Sequence, residues 1–365
     1  MRRILEGVRV LDLSQFFSGP QATLFLAGLG AEVIRIDSPA MAASAPNAPP
    51  YAGPKGVTLD RATPDDICVN YLKRTRAKKA MCIDLKRPEG VALFHRLAEA
   101  SDVVLENFSV GVANRLGVGY DALKARNPRL IYCALTGYGS TGPDRHIKAY
   151  DFAVQAAAGL MSITGIPGQA PVKAGAALSD AIAGTFAMSG VMAALYDRER
   201  TGKGQFIDVS MVDCLFSLIF DDPIDWYEEM GLPMRQGSRI MRFSPINAYE
   251  TTDGWIVAGA ASPDQWRGLL AAMGRAEGTR ELAPPPRARH VPDAGASDAR
   301  PARRRRRGRV SIEVQRRRNR LRRARRPAPG PHARGAARRA RHGRRGGRPS
   351  RGRRDRLAAA ACRLH

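Results

Sequence analysis

In the stretch "AGAALSDAIAGTFAMSGVMAAL", residues 174–195, Asp180 is the one charge among small and apolar side chains. Carboxylates seldom enter such surroundings without a partner or a task. Following Ser179 and opening a helical run, Asp180 reads first as an N-cap that accepts backbone N–H bonds. The same placement suits chemistry. A helix N-terminus keeps a carboxylate ionised, an ionised carboxylate is a usable nucleophile, and the flanking Ala and Gly leave room for a reacting group. The two readings are compatible, and the local pattern leaves both open.

Other chemistry-bearing residues are sparse. Before residue 283 the histidines are His95, expected on the solvent side of a helix, and His146, in the polar loop "STGPDRHIKAYDF". The five cysteines (Cys68, Cys82, Cys133, Cys214, Cys362) are scattered without a CxxC pair. That argues against a zinc site or a disulfide framework and fits a reducing cytoplasm. The first βα turn, "SQFFSGP", is not the Gly-rich dinucleotide fingerprint, "GLGAE" lies at the far end of the helix, and no Walker A sequence occurs.

The elements that must position Asp180 follow from hydrophobic pattern. "GVRVLDLSQFFSGPQATLFLAGLGAEVIRIDSP" reads as strand, loop, helix, strand, with Pro20 in the first helical turn and Gly28 and Gly30 at its end. This is a βαβ unit. "KKAMCIDLKRPEGVALFHRLAEASDVVLENF" repeats the theme, with a helix near Pro88–Ala100 and a strand at Val103–Glu106, and "NPRLIYCALTGYG" adds a buried strand. A Rossmann-like, open parallel sheet is expected. After Asp180 a helix of about five turns carries a small-residue stripe, Gly184, Ala187 and Gly190. "NAYETTDGWIVAGA" reads as a hairpin turned at Asp253–Gly254, opening a smaller α+β domain. The expected division is a large domain at 1–199, a linker at 200–232, the start of the small domain at 233–282 and a tail at 283–365.

Charge divides the chain as sharply. Of 59 basic and 34 acidic residues, 29 arginines and 4 acids lie after Leu282, leaving 30 of each before it. The formally neutral part is not a nucleic-acid binder by charge. The Arg-rich tail holds few large apolar residues and is expected to be disordered, with a composition that a shifted reading frame in a GC-rich gene would produce. Any nucleic-acid contact through it would be non-specific. No uninterrupted apolar run approaches the roughly 20 residues of a membrane span, so no membrane partner is expected.

Taken in order, "LDLSQFFSGPQATLFLAGLGAEVIRID", "RAKKAMCIDLKRPEG", "DVVLENFSVGVANRLGVGYDAL", "NPRLIYCALTGYGSTGP", "KAYDFAVQAAAGLM", "LSDAIAG" and "TGKGQFIDVSMVD" resemble the class III CoA-transferases. That family includes formyl-CoA:oxalate and carnitine CoA-transferases and alpha-methylacyl-CoA racemases. The resemblance runs from about Ile4 to Leu282. It implies an interlocked homodimer, a Rossmann-like large domain with a small domain, and Asp180 as nucleophile. CoA would move from an acyl-CoA to a small carboxylic acid through an aspartyl anhydride and an aspartyl-CoA thioester, with coenzyme A as substrate and no tightly bound cofactor or metal. It also implies CoA contacts at Lys86, Asn107, Phe108 and Arg115, and pocket-lining roles for Lys148 and Tyr150.

The sequence departs from parts of the family pattern. Phe17 stands where the formyl-CoA enzymes have Gln, and Ser38 where they have Arg. Tyr150 replaces the racemase histidine, which favours a transferase over a racemase built on His146 and Asp180. A non-enzymatic role through the basic tail is the third alternative.

Overall fold

The computed structural model describes residues 3–40, 48–240, 245–275 and 362–364. The chain opens with β1 (Arg9–Asp12), α1 (Ser18–Gly28) and β2 (Glu32–Asp37). A small antiparallel sheet follows, β3 (Tyr51–Gly53), β4 (Gly56–Thr58) and β5 (Ile67–Cys68). Its strands are too short to carry a period in the sequence, and the reading above missed them. Next come α2 (Val69–Thr75), β6 (Lys78–Cys82), α3 (Pro88–Glu99), β7 (Val103–Glu106), α4 (Val112–Arg115), α5 (Tyr120–Lys124) and β8 (Ile131–Thr136). The segment around Asp180 comprises α6 (Asp151–Ala157), α7 (Leu160–Ile163), α8 (Leu178–Thr201), β9 (Phe206–Ser210) and α9 (Met211–Ile219).

Six strands pair in parallel in the order β9-β8-β7-β1-β2-β6. Winding therefore reverses between β1 and β7, the switch point where open α/β sheets bind ligands beyond the strands' carboxyl ends. Val10, Val33, Leu105, Cys133 and Ile207 face α1 and α8. Leu11, Val104, Tyr132 and Ala134 face Phe94, Ala98 and Leu123 on α3 and α5. Burial on both faces explains why these strands read as continuous apolar runs.

Helix α8 has 24 residues, longer than expected, and ends at Gly202, whose φ of +70° gives the left-handed cap that glycine adopts without penalty. Among the described residues it is long and apolar enough to span a membrane. It is instead packed on the sheet through Ala183, Ala187, Val191 and Ala194. The expected stripe of Gly184, Ala187 and Gly190 is buried. A Cβ on Gly184 would lie 2.6 Å from the Ser18 carbonyl oxygen, so glycine lets α8 reach the first turn of α1.

Residues 200–232, expected as a linker, contain β9 and α9, which belong to the first compact unit; that unit runs through Asp222 apart from residues 161–172. β9 is the sixth parallel strand, and Val209, Met211 and Leu215 are part of the core. The second unit takes residues 161–172 and begins again at Pro223. It holds α10 (Ile224–Tyr227), the antiparallel hairpin of β10 (Ile246–Glu250) and β11 (Trp255–Gly259), and α11 (Pro263–Ala272). Ser262 and Gln265 form a capping box on α11. Most of the tail lies outside the described residues, and its expected disorder with it. Its last strand, β12 (Cys362–Leu364), pairs antiparallel with β9.

Candidate active site

Helices α1 and α8 both begin at the carboxyl edge of the sheet, and their first turns meet. Gln21 Nε2 donates to the Ala181 carbonyl at 2.9 Å, tying the two turns together. Asp180 is the third residue of α8, and the N-cap is Ala177. The N-cap reading of Asp180 is therefore corrected, because the orphan donors at this helix end are answered from elsewhere. Asp151 Oδ1 accepts from the Ser179 amide at 2.9 Å and from the Ser179 hydroxyl at 2.6 Å. Freed from capping, Asp180 keeps its oxygens for other partners.

Asp151 is held in turn by Gln155, one helical turn along α6, whose Nε2 donates to Asp151 Oδ2 at 2.7 Å. Gln155 is fully buried, and its Oε1 accepts from the Ala174 amide at 2.8 Å, fixing the chain that leads into α8.

These neighbours set the ionisation of Asp180. Burial removes water from the carboxylate, and the Asp151 charge repels it, so its pKa is pushed up to about 6. The hydroxyl and amide of Ser18 and the Arg74 guanidinium pull the other way. The expectation that the helix end alone holds Asp180 ionised is thus modified, since desolvation and a second carboxylate outweigh it. Near neutral pH the group is still mostly a carboxylate, and a more basic one than a solvated aspartate.

The remaining sequence candidates divide into two groups. Tyr150 caps α6 immediately before Asp151 and is exposed, edge-on to Phe16 at 6.4 Å and stacked with Phe152. Lys148 and His146 are exposed in the loop leading to it. Lys86, Asn107, Phe108 and Arg115 lie beyond β6 and β7, on the side of α3, α4 and α5. Lys86 and Arg115 are exposed, and Phe108 packs on that second core. Asn107 bridges the switch point: its Oδ1 accepts from the Gln15 amide and its Nδ2 donates to the Gln15 carbonyl, both at 2.8 Å. His95 is half-buried rather than on the solvent side, because its Nε2 bonds the Gly117 carbonyl at 2.8 Å.

Beneath the site, Lys78 Nζ joins Asp12 Oδ2 at 2.9 Å, the Pro20 carbonyl at 2.8 Å and Thr23 Oγ1 at 2.7 Å, all buried. This network pins the first turn of α1 to β1 and β6. Sequence reasoning missed Ser18, Arg74, Lys78, Asp151 and Gln155. Only the Asp151–Gln155 pair had a local signal, since four-residue spacing puts both on one helix face.

The doubly wound sheet thus presents a basic, partly buried aspartate where the first turns of two helices meet. Residues 5–301 match CoA-transferase family III, and the chain belongs to that family. It is 35% identical over 272 residues to the succinate–glutarate CoA-transferase of Agrobacterium fabrum, covering 74% of this chain and 66% of that protein. It is 36% identical over 267 residues to the Homo sapiens succinyl-CoA:glutarate CoA-transferase, covering 72% of this chain and 57% of that one. A CAIB/BAIF family protein from Brucella suis shares the structure with a TM-score of 0.66 at 31% identity, covering 76% of this chain and 71% of that one. The chain thus spans 66% and 57% of the lengths of these two curated relatives.

Proposed function

We propose that the protein moves CoA from an acyl-CoA to a small carboxylic acid, with Asp180 as the nucleophile. The observation that carries this reading is the Asp180 carboxylate itself, not the cap of its own helix α8 and facing the Ser18 hydroxyl and amide at the start of α1. Its oxygen attacks the thioester carbonyl, the C–S bond breaks, and CoA leaves as thiolate from a mixed anhydride. The thiolate then attacks the aspartyl carbonyl, expelling the donor acid and leaving an aspartyl-CoA thioester. The acceptor carboxylate reverses both steps and leaves with CoA. Ser18 donors facing Asp180 suit the oxyanions of these steps. Lys86, Asn107, Phe108 and Arg115 are proposed to hold CoA along the carboxyl ends of β6 and β7, with Lys148 and Tyr150 at the pocket. The working unit is proposed to be a homodimer.

The test is to incubate the chain with succinyl-CoA and hydroxylamine and map the product by mass spectrometry. A hydroxamate on Asp180, absent in Asp180→Ala, is the expected result. An adduct elsewhere overturns the assignment. Solvent deuterium entering the alpha carbon of a 2-methylacyl-CoA without any acceptor acid would instead indicate a racemase.

A further inference from the structure

Arg74 differs from the other buried or half-buried cations of the first unit. Lys78 is paired with Asp12, Arg35 with Asp37 at 2.8 Å, and Arg198 with Asp102 at 3.0 Å. Among the described residues Arg74 has no carboxylate in ion-pair contact. Its Nη1 donates to the carbonyl of Phe16, and its guanidinium lies over the Phe17 ring, 5.4 Å from the centroid. Phe16 is held at φ +61°, a conformation that non-glycine residues rarely adopt, which turns the loop so that Ser18 begins α1 against Asp180. A guanidinium carries five N–H donors in a planar fork, so those not taken by the Phe16 carbonyl match a carboxylate two at a time. Burial weakens the hold of Arg74 on its proton, and Cys68 and then Asp180 restore part of it, so Arg74 and Asp180 lie within electrostatic reach of each other.

From this half-buried guanidinium on α2, bonded to the loop that leads to Ser18 and without a carboxylate partner among the described residues, we propose that Arg74 receives the second carboxylate of a dicarboxylic acid substrate, making it the residue that selects diacids over monoacids. This rests on the reading of Asp180 as the CoA-transferring nucleophile and adds to it the class of acid. One carboxylate of the substrate meets Asp180 chemistry, and the other ends on Arg74. Phe17 and Phe16 supply the apolar wall beside the methylene chain between them.

The test measures kcat/KM for the acceptor in CoA transfer from succinyl-CoA by the full chain, with glutarate and with its monomethyl ester, whose one carboxylate is the one that must react at Asp180. Glutarate should be preferred at least about tenfold, as a charge-assisted bidentate bond at its far end implies. Arg74→Gln should bring glutarate to the level of the ester and leave the ester unchanged, while Arg74→Lys retains part of the preference. Equal kcat/KM for the two acids, turnover of neither, or a preference that survives Arg74→Gln overturns the proposal. If Arg74→Gln does not fold by circular dichroism, the wild-type comparison with the ester and the Arg74→Lys result decide it. A diacid preference without any hydroxamate on Asp180 would reject the nucleophile reading and keep the Arg74 site.

Discussion

Asp151 stands beside Asp180 with both of its oxygens held, by Ser179 and Gln155. One carboxylate caps the helix so that the other does not. Activity that requires ionised Asp180 should therefore fall below about pH 6, tenfold per unit once well below it. Asp151→Asn removes the repulsion, and the acid limb of the kcat profile should move to lower pH. An unmoved limb would show that Asp151 acts only through packing.

The raised pKa is also a statement about stability. Asp180 goes from 3.8 to about 6 on folding, so the native state favours the protonated form, and stability is lost as pH rises through that interval. Above it the ionised group remains a net burden of at most roughly 3 kcal/mol, reduced by solvent screening. Asp180→Asn should abolish CoA transfer while raising the melting temperature at pH 7.5. Thermal melts at pH 4 and 7.5 check this, with the gain confined to the higher pH.

A second buried acid lies on the opposite sheet face. Glu106 and Asp208 both align with Ala134, one on β7 and the other on β9. Burial pushes the Glu106 carboxyl up to about 7, while its hydrogen bond from the Phe108 amide opposes this in part. Stability from the neutral acid is present below 4.5 and disappears as pH rises to about 7. Glu106→Gln should keep it, flattening the melting temperature between about pH 4.5 and 7, where the parent chain declines.

Gly184 offers a steric test. An alanine there brings its Cβ within 2.6 Å of the Ser18 carbonyl oxygen, and backbone at that position cannot move aside cheaply. Gly184→Ala should destabilise by about 1–3 kcal/mol and reduce kcat through displacement of Ser18 from Asp180. A denaturant melt together with kcat separates the two effects.

Much of the sheet was legible in the sequence because its strands are short apolar runs between turn signals. The helices near Pro88 and after Asp180 were legible through a Pro start and an unbroken small-residue face. What escaped was tertiary. Lys78 sits in the basic run "KRTRAKKA", which reads as a solvated face, yet its side chain is 1% exposed because it reaches across β2 to Asp12 on β1. Arg74 hides in the same run. Asp151 affects Asp180 only because α6 folds back onto α8, across 28 residues at Ser179.

That hidden lysine supports a fifth perturbation. Lys78→Met leaves Asp12 buried beside Ser14 and Thr23 without its cation, which typically costs about 3–5 kcal/mol. The double variant Asp12→Asn, Lys78→Met should recover a large share of that loss in urea denaturation. A double variant no better than the single one would mean that the contacts of Lys78 with Pro20 and Thr23 matter more than the charge pair.

Gln155 has a consequence for how this sequence can drift. Its amide gives a hydrogen bond to Asp151 and takes one from Ala174, so the position needs a donor and an acceptor on one side chain. Glutamate would confront Asp151 with like charge, and leucine would leave both neighbours unanswered. A change at residue 155 thus reaches both Asp151 and the chain entering α8, and no change at residue 151 alone would answer the Ala174 amide, so the demand on this one side chain is set from two directions.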